Sequence, residues 1–384
     1  MKVVIWANFP SPHQADFYAA LRQSGVDLRV VYQSPLLESR RSLGWAQPAS
    51  QPAGESFLPS QMSPLEHVTD WRERIHVIPG YGFGTNRWLV RQLSRAGVPW
   101  VHWSENSQPS WRSALTWGLK KWYAHKVNNY ALGAFAIGER ATQDFVRWGI
   151  RLEKCAQLFY AIDGVPRDVE RDCVTREFVG DECAFVYAGN LCHRKATLLL
   201  LEAFAKISAQ SNSKLVLVGN GPQESTARRY LKSMGLDHQV LFRGVVPNEA
   251  IGSVIQCTQV LVLPSRFDGW GVVLNEGASA GLALIASDAV GAAYHLVEPG
   301  WNGFRVRAGS VGSLQRAMSV YASEPALAYV HGRNSTMLFQ NFTPARNAER
   351  FITAVRGWQA AAGKTRMFPV PQPMPQHFQP QRAA

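Results

Sequence analysis

The sequence predicts an α/β protein of two doubly wound domains, and three observations carry that expectation. Short β-branched and leucine-rich runs recur and end at glycines or turn residues: Phe185–Gly189 (FVYAG), Lys214–Gly221 (KLVLVGNG) and Val260–Ser265 (VLVLPS). Continuous apolar runs of this length read as strands buried on both faces, as in a parallel sheet. Stretches with apolar residues at helical spacing alternate with them, Leu198–Ile207 being one, and such alternation marks parallel strands joined by helical crossovers. The 384 residues leave room for two domains, taking roughly 100–200 residues for each.

In the first half, Val3–Trp6 is the first strand. Ser11-Pro12-His13-Gln14 then reads as a capping box, with Ser11 at the N-cap, Pro12 at the first helical position and Gln14 at the third. The helix is expected to run to about Arg22, and Asp27–Tyr32 (DLRVVY) is the second strand. Residues 33–61 are rich in Ser, Pro, Gln and Gly and read as a long loop or a disordered linker. Arg74–Ile78 and Trp100–Trp103 are further strands; the latter opens WVHWSENSQPSW, which holds His102. From Trp111 to Val127, apolar residues at 111, 115, 119 and 122 share a helical face, and Arg112, Lys120, Lys121 and Lys126 supply charge. That helix reads either as packed on the sheet with a solvated basic edge or as lying in an anionic membrane surface. Ala134–Gly138 followed by ERATQDFVRWGI is a strand and a helix.

The stretch from Ser265 to Ser287, SRFDGWGVVLNEGASAGLALIAS, is the most informative. It reads as a glycine-bearing loop, a short helix over Val272–Ala280, and a strand over Leu282–Ala286. The loop follows the carboxyl end of a strand, where open α/β sheets bind their ligands. Gly269 and Gly271 let the backbone approach a ligand closely, and the amides opening the helix suit a phosphate. Asp268 sits on the loop and Glu276 on the helix, so the two carboxylates can meet two parts of one long ligand. That describes a site for a nucleotide joined to something rich in hydroxyls.

This segment resembles the C-terminal signature of the retaining glycosyltransferases of family 4, in which two glutamates stand seven residues apart. Asp268, one methylene shorter, takes the first place and Glu276 the second; Trp270 replaces a phenylalanine and Gly281 matches the glycine ending the helix. In NLCHRK, Lys195 matches a lysine that binds the donor diphosphate, while Asn190 stands where the family has an arginine; the adjacent Arg194 can supply that charge. KLVLVGNG, with Gly219, and VLFRGVV match further family strands. The resemblance implies the GT-B fold, two doubly wound Rossmann-like domains facing a central cleft. It implies that Gly189, Asn190, Arg194, Lys195, Gly219, Gly269, Trp270 and Gly271 surround the nucleotide sugar, with Glu276 on the ribose and Asp268 on the transferred sugar. Relatives with an H-E-P-x-x-P-S motif bring a histidine to that sugar. Aligned through Glu105 and Pro109, its place falls on Ser104; His102, two residues earlier, either takes over or is a hydrogen-bonded strand residue, and His13 is a second candidate. A hydroxyl acceptor, retention of configuration, and no metal or cofactor beyond the donor are also implied.

The expected organisation is an acceptor-side domain over 1–165, a linker over 166–178 and a donor-binding domain over 179–340. A helix over 341–362 is expected to cross back to the first domain, and a disordered Pro/Gln-rich tail to span 363–384. Composition excludes several classes. With 46% apolar and 18% charged residues the chain is globular, and no run approaches the roughly 20 apolar residues of a membrane span. The apolar run in MKVVIWANFP is broken by Pro10 and is too short for a signal sequence. Five cysteines without C-x-x-C spacing read as reduced thiols. The net charge of +12 has no aromatic-interleaved cluster of a nucleic-acid module, so the partners expected are an anionic donor, a glycan or lipid-linked acceptor and an anionic membrane surface. A cytoplasmic site, peripheral on the inner membrane face, follows from that reading. A nucleotide-sugar epimerase and a non-catalytic sugar- or membrane-binding protein remain as alternatives.

Overall fold

The computed structural model describes residues 1–41, 44–45, 51–108, 116–166, 170–209 and 211–364. They form two compact units: Met1–Leu37, Gln47–Phe159 and Ala345–Ala384 in the first, Glu38–Ala46 and Tyr160–Pro344 in the second.

The first unit is built on a parallel sheet of seven strands: β1 (Lys2–Ala7), β2 (Asp27–Tyr32), β3 (Glu55–Phe57), β4 (Ile75–Ile78), β5 (Trp100–Ser104), β6 (Gly133–Ala136) and β7 (Cys155–Gln157). Their order is β3-β2-β1-β4-β5-β6-β7, and the direction of winding reverses between β1 and β4. In β1, Val3 to Trp6 are all 0–1% exposed, because helices cover both faces of an all-parallel sheet. The 33–61 segment is not all loop: Glu38–Arg41 is a helical turn, and β3 pairs with β2 in the register Val30↔Glu55. The Ser11 capping box does not form. The Ser11 side chain makes no cap bond, its carbonyl accepts from the Gln14 amide at 3.0 Å, and Gln14 Oε1 accepts from Tyr18 Oη at 3.1 Å instead.

The basic aromatic helix runs over Trp117–Tyr130, while Pro109 and Trp111 to Leu115 lie outside the described residues. Its buried face is Lys120, Tyr123, Ala124 and Val127, not the expected one. Lys120 donates to Ser107 Oγ at 2.9 Å, Ser107 Oγ donates to Asp144 at 2.7 Å, and the ammonium lies 5.1 Å from the Trp148 ring centre. The Ser107 hydroxyl, itself bound to Asp144, and the Trp148 ring compensate the cation's lost hydration, so Lys120 belongs to the interior. Among the described residues, no helix is long and apolar enough to cross a membrane.

The Pro344–Lys364 helix completes the first unit. Phe351 packs on Phe17 and Phe135, and Trp358 on Phe135. The Trp358 ring fills the place of a side chain at Gly133, where a Cβ would lie 2.3 Å from it. Asn347 accepts from the Phe159 amide at 3.1 Å and donates to its carbonyl at 2.7 Å. Residues 365–384 lie outside the described residues.

The second unit has six parallel strands: β8 (Ala184–Ala188), β9 (Lys214–Val218), β10 (Val240–Gly244), β11 (Val260–Leu263), β12 (Ala283–Ser287) and β13 (Gly303–Val306), ordered β10-β9-β8-β11-β12-β13. Its winding reverses between β8 and β11, which pair as Val260↔Phe185 and Leu261↔Val186. Part of the expected 166–178 linker is a helix of this unit, Cys173–Val179. Asp172 caps it by accepting from Thr175 N at 2.9 Å and pairs with Arg243 at 2.8 Å, which holds its carboxyl well below the usual range. Residues 167–169 lie outside the described residues.

Candidate active site

Neighbouring parallel strands whose connections run opposite ways leave a crevice at their carboxyl ends. In the second unit those ends belong to β8 and β11, and the loops leaving them carry most of the residues singled out from sequence: Gly189 to Lys195 after β8, Asp268 to Gly271 after β11.

The β8 loop is built from beneath. Tyr187, fully buried in β8, donates from its hydroxyl to the Asn190 carbonyl at 2.8 Å. Asn190 is thereby half-buried and held by its backbone. Gly189 and Gly219 face each other across neighbouring strands: a Cβ on Gly219, at φ 119°, would lie 2.2 Å from the Gly189 carbonyl oxygen. The close approach at Gly219 is therefore to this protein's own backbone. His193–Lys195 form a single 3-10 turn ended by Ala196 at φ 59°, the one non-glycine with positive φ among the described residues. A left-handed alanine costs about 1–2 kcal/mol, and strain of this kind is kept where neighbouring contacts over-determine the backbone. Here it directly follows Lys195. Arg194 is exposed and donates to the Phe267 carbonyl at 3.0 Å, while the Arg266 amide donates to the Arg194 carbonyl at 2.8 Å. Arg194 thus joins the β8 and β11 loops.

The β11 loop is fixed along its other side. The Asp268 amide donates to Ala289 O at 3.1 Å, the Gly291 amide to Asp268 O at 3.1 Å and the Ala292 amide to Trp270 O at 2.9 Å. Gly271 has φ 94°, and a Cβ there would meet Val290 Cγ1 at 2.8 Å and Leu263 Cδ2 at 2.9 Å. Gly271 and Gly291 allow this tight strapping to the segment after β12, since a Cβ on Gly291 would lie 2.1 Å from the Gly269 carbonyl oxygen. Trp270 was expected beside the ligand, but its side chain is only 1% exposed. Its indole donates to Asn275 Oδ1 at 2.9 Å and stacks on His295, and Asn275 Nδ2 donates to the Tyr160 carbonyl at 3.2 Å. The Trp270–Asn275 pair positions the loop and gave no signal in sequence beyond the residue types.

Two charged groups meet across these loops. Lys195 Nζ and Asp268 Oδ2 form an ion pair, with side chains 14% and 15% exposed. Glu276 lies one helical turn into Val273–Ser279 and is 7% exposed. Its carboxylate has no hydrogen-bond or charge partner among the described residues, and burial pushes it up to about 7. A buried carboxylate without a partner is costly. It has the donor-accepting capacity for two hydroxyls.

His102 does not join this group. It is fully buried in the first unit, with Nδ1 3.1 Å from Tyr123 Oη and Nε2 2.9 Å from Ser104 Oγ, packed between Phe145 and Trp148. Burial lowers its pKa to about 3, so the ring is neutral. Of the two readings of His102, the structure fits the hydrogen-bonded strand residue and not the sugar contact: both nitrogens are used inside the protein. His13 lies in the first turn of the Pro12–Gln23 helix and is half-buried. Among the described residues no three His, Cys, Asp or Glu side chains are grouped to hold a metal ion.

Two doubly wound parallel sheets, one of them carrying opposed charges and a bare carboxylate at its reversal, define the GT-B class of fold. Solved structures agree. A structure of Anabaena Alr3699/HepE in complex with UDP superposes with a TM-score of 0.72 at 16% identity, covering 93% of this chain and 100% of that one. Sucrose-phosphate synthase (tll1590) from Thermosynechococcus elongatus superposes at 0.68 with 18% identity, over 94% and 100% of the two chains. Sequence comparison adds that residues 182–323, within the second unit, match the model of the glycosyl transferases group 1. Among curated relatives, the alpha-D-kanosaminyltransferase of Streptomyces kanamyceticus is 26% identical over 49% of this chain and 50% of its own. The lipopolysaccharide core biosynthesis mannosyltransferase LpcC of Rhizobium leguminosarum bv. viciae is 32% identical over 38% and 43%. An uncharacterized glycosyltransferase of Methanocaldococcus jannaschii, MJ1607, is 29% identical over 33% and 32%. The chain spans about a third to a half of the length of the curated relatives it matches.

Proposed function

We propose that this protein is a retaining glycosyltransferase that moves a sugar from a nucleotide-diphosphate-sugar donor to a hydroxyl of a glycan or lipid-linked acceptor. The observation that carries the reading is Glu276: buried, unpartnered and placed on the helix that follows the β11 loop. Most buried polar groups in folded proteins are hydrogen-bonded, and a ribose offers two adjacent hydroxyls as donors to one that is not. Lys195 and Arg194 supply positive charge for the diphosphate. That charge stabilises the negative charge developing on the leaving group. Asp268 takes hydroxyls of the transferred sugar. The leaving phosphate helps to deprotonate the acceptor, so configuration is retained without a nucleophile from the protein. Support for a UDP-linked donor comes from neighbours solved with UDP or with UDP-glucose. Support for a glycan acceptor comes from relatives of lipopolysaccharide and O-antigen assembly.

The test is calorimetric binding of UDP, GDP and ADP and their sugars to the parent and to Glu276→Gln. The variant is expected to lose about 1–3 kcal/mol of nucleotide affinity, the worth of hydrogen bonds to a charged acceptor, with its fold unchanged. Equal affinity in both proteins would remove Glu276 from the site. Incubation with donor alone separates transfer from epimerisation, since an epimerase converts the sugar with no second substrate.

A further inference from the structure

We propose that the Lys195–Asp268 ion pair makes the site prefer a nucleoside diphosphate that bears a sugar over the same nucleoside diphosphate without one. Asp268 is then a specificity-determining residue that also speeds product departure. The inference rests on the donor-site reading above and adds to it a discrimination between substrate and product.

The pair is built to stay formed when the site is empty. Its members come from the loops after two adjacent strands, β8 and β11, and each side chain is about six-sevenths buried, at 14% and 15% exposure. Neither loop is free to swing its charge away. Asp268 is held on both sides of its peptide, by Ala289 O and by the Gly291 amide, and bridges to Val290. Lys195 stands on the strained turn ended by Ala196, which Arg194 ties to Phe267.

A diphosphate entering this site competes with Asp268 for one ammonium. Whether Lys195 turns to the phosphate or is shared, the carboxylate remains nearby, loses part of its counter-charge and repels the phosphate oxygens. A carboxylate so deeply placed is poorly served by water. Hydroxyls of an attached sugar supply the missing donors, as charge-assisted hydrogen bonds. The sugar-bearing ligand therefore restores what the bare diphosphate disrupts. After transfer the hydroxyls depart with the sugar, Asp268 reclaims Lys195, and the diphosphate is left with a weakened hold. A carboxylate here thus lowers affinity for one ligand and raises it for the other.

The prediction is a change of opposite sign. Titration calorimetry of UDP against UDP-glucose, and GDP against GDP-mannose, is run on the parent, Asp268→Asn and Lys195→Gln. Asp268→Asn is expected to bind the bare diphosphate about tenfold more tightly and its sugar-bearing form about tenfold more weakly. Lys195→Gln should weaken both by a similar factor. Thermal melts check folding, and Asp268→Ser, expected to shift both ligands in the same directions, replaces the Asn variant if that one does not fold. A parent that binds both ligands, with a variant that loses both or neither, would overturn the inference and leave the donor site standing. A parent that binds none of the four ligands would overturn the donor reading and the inference with it.

Discussion

His102 in the first unit and Glu276 in the second are both titratable, both buried, and both near the carboxyl end of a parallel sheet. Their surroundings separate them. Both ring nitrogens of His102 have partners, Tyr123 and Ser104, and aromatic rings pack around it. Glu276 has no such partner among the described residues. A satisfied buried group belongs to the scaffold; an unsatisfied carboxylate at a sheet's reversal is a candidate ligand contact. Burial opposes charge in both, yet their pH effects run opposite ways. His102, lowered to about 3, adds stability that is full above its free value near 6.5 and is lost as pH falls toward 3. His76, lowered to about 4, acts in the same direction. Glu276, raised to about 7 from 4.5, adds stability that is full below 4.5 and is lost as pH rises through 7.

The largest effect that can break this comparison is on stability. His102→Ala removes a buried ring and strands Tyr123 Oη, so the first unit should lose about 3–5 kcal/mol, read by hydrogen exchange. Nucleotide affinity should not change. A stable variant that binds nucleotide but transfers no sugar would instead put His102 in the chemistry. Next in size is the pH slope of the second unit. Between pH 4.5 and 8 the parent should lose roughly 3 kcal/mol through Glu276, at about 1.4 kcal/mol for each tenfold change in proton affinity, and Glu276→Gln should flatten that limb in urea melts. An unchanged slope would mean that the carboxylate is better solvated than its burial indicates. The smallest effect concerns the basic helix. Lys121 is exposed, with its ammonium 5.1 Å from the Trp117 ring centre, so Lys121→Glu should stay within about 0.5 kcal/mol of the parent. A loss of binding to anionic liposomes in that variant would show this face to be a membrane contact. Lys120 cannot serve in such a test, because its substitution disturbs the interior.

The second unit was the more legible of the two. Strands such as VLVLP and ALIAS are buried on both faces and so read as unbroken apolar runs, and the loop carboxylates lie between them. The edge strands of the first unit, ESF and CAQ, are three residues long, half-buried and without periodicity. Nothing in them distinguishes a strand from a loop; β2 and β6 supply the pairing. Lys120 misled for a different reason. A helical pattern counts lysine as polar, whereas a long aliphatic stem can be buried when its ammonium finds acceptors, here Ser107 from a distant loop. Trp270 was misplaced likewise, because Asn275, five residues on, takes its indole N–H and turns the ring inward.

The Pro344–Lys364 helix gives the first unit an unusual history. Phe17 and Phe135 find their partner Phe351, and Gly133 its cover Trp358, only at the far end of the chain. During synthesis, all of Tyr160–Pro344 emerges in between, which takes roughly 10–40 s at about 5–20 residues per second. For that interval the first sheet presents an uncovered aromatic patch, while the second unit, already holding Glu38–Ala46 and completed by Pro344, can close. The ribosome-bound chain should therefore engage holdase chaperones through the face around Phe17, Phe135 and Gly133, and release them only when the Pro344–Lys364 helix arrives.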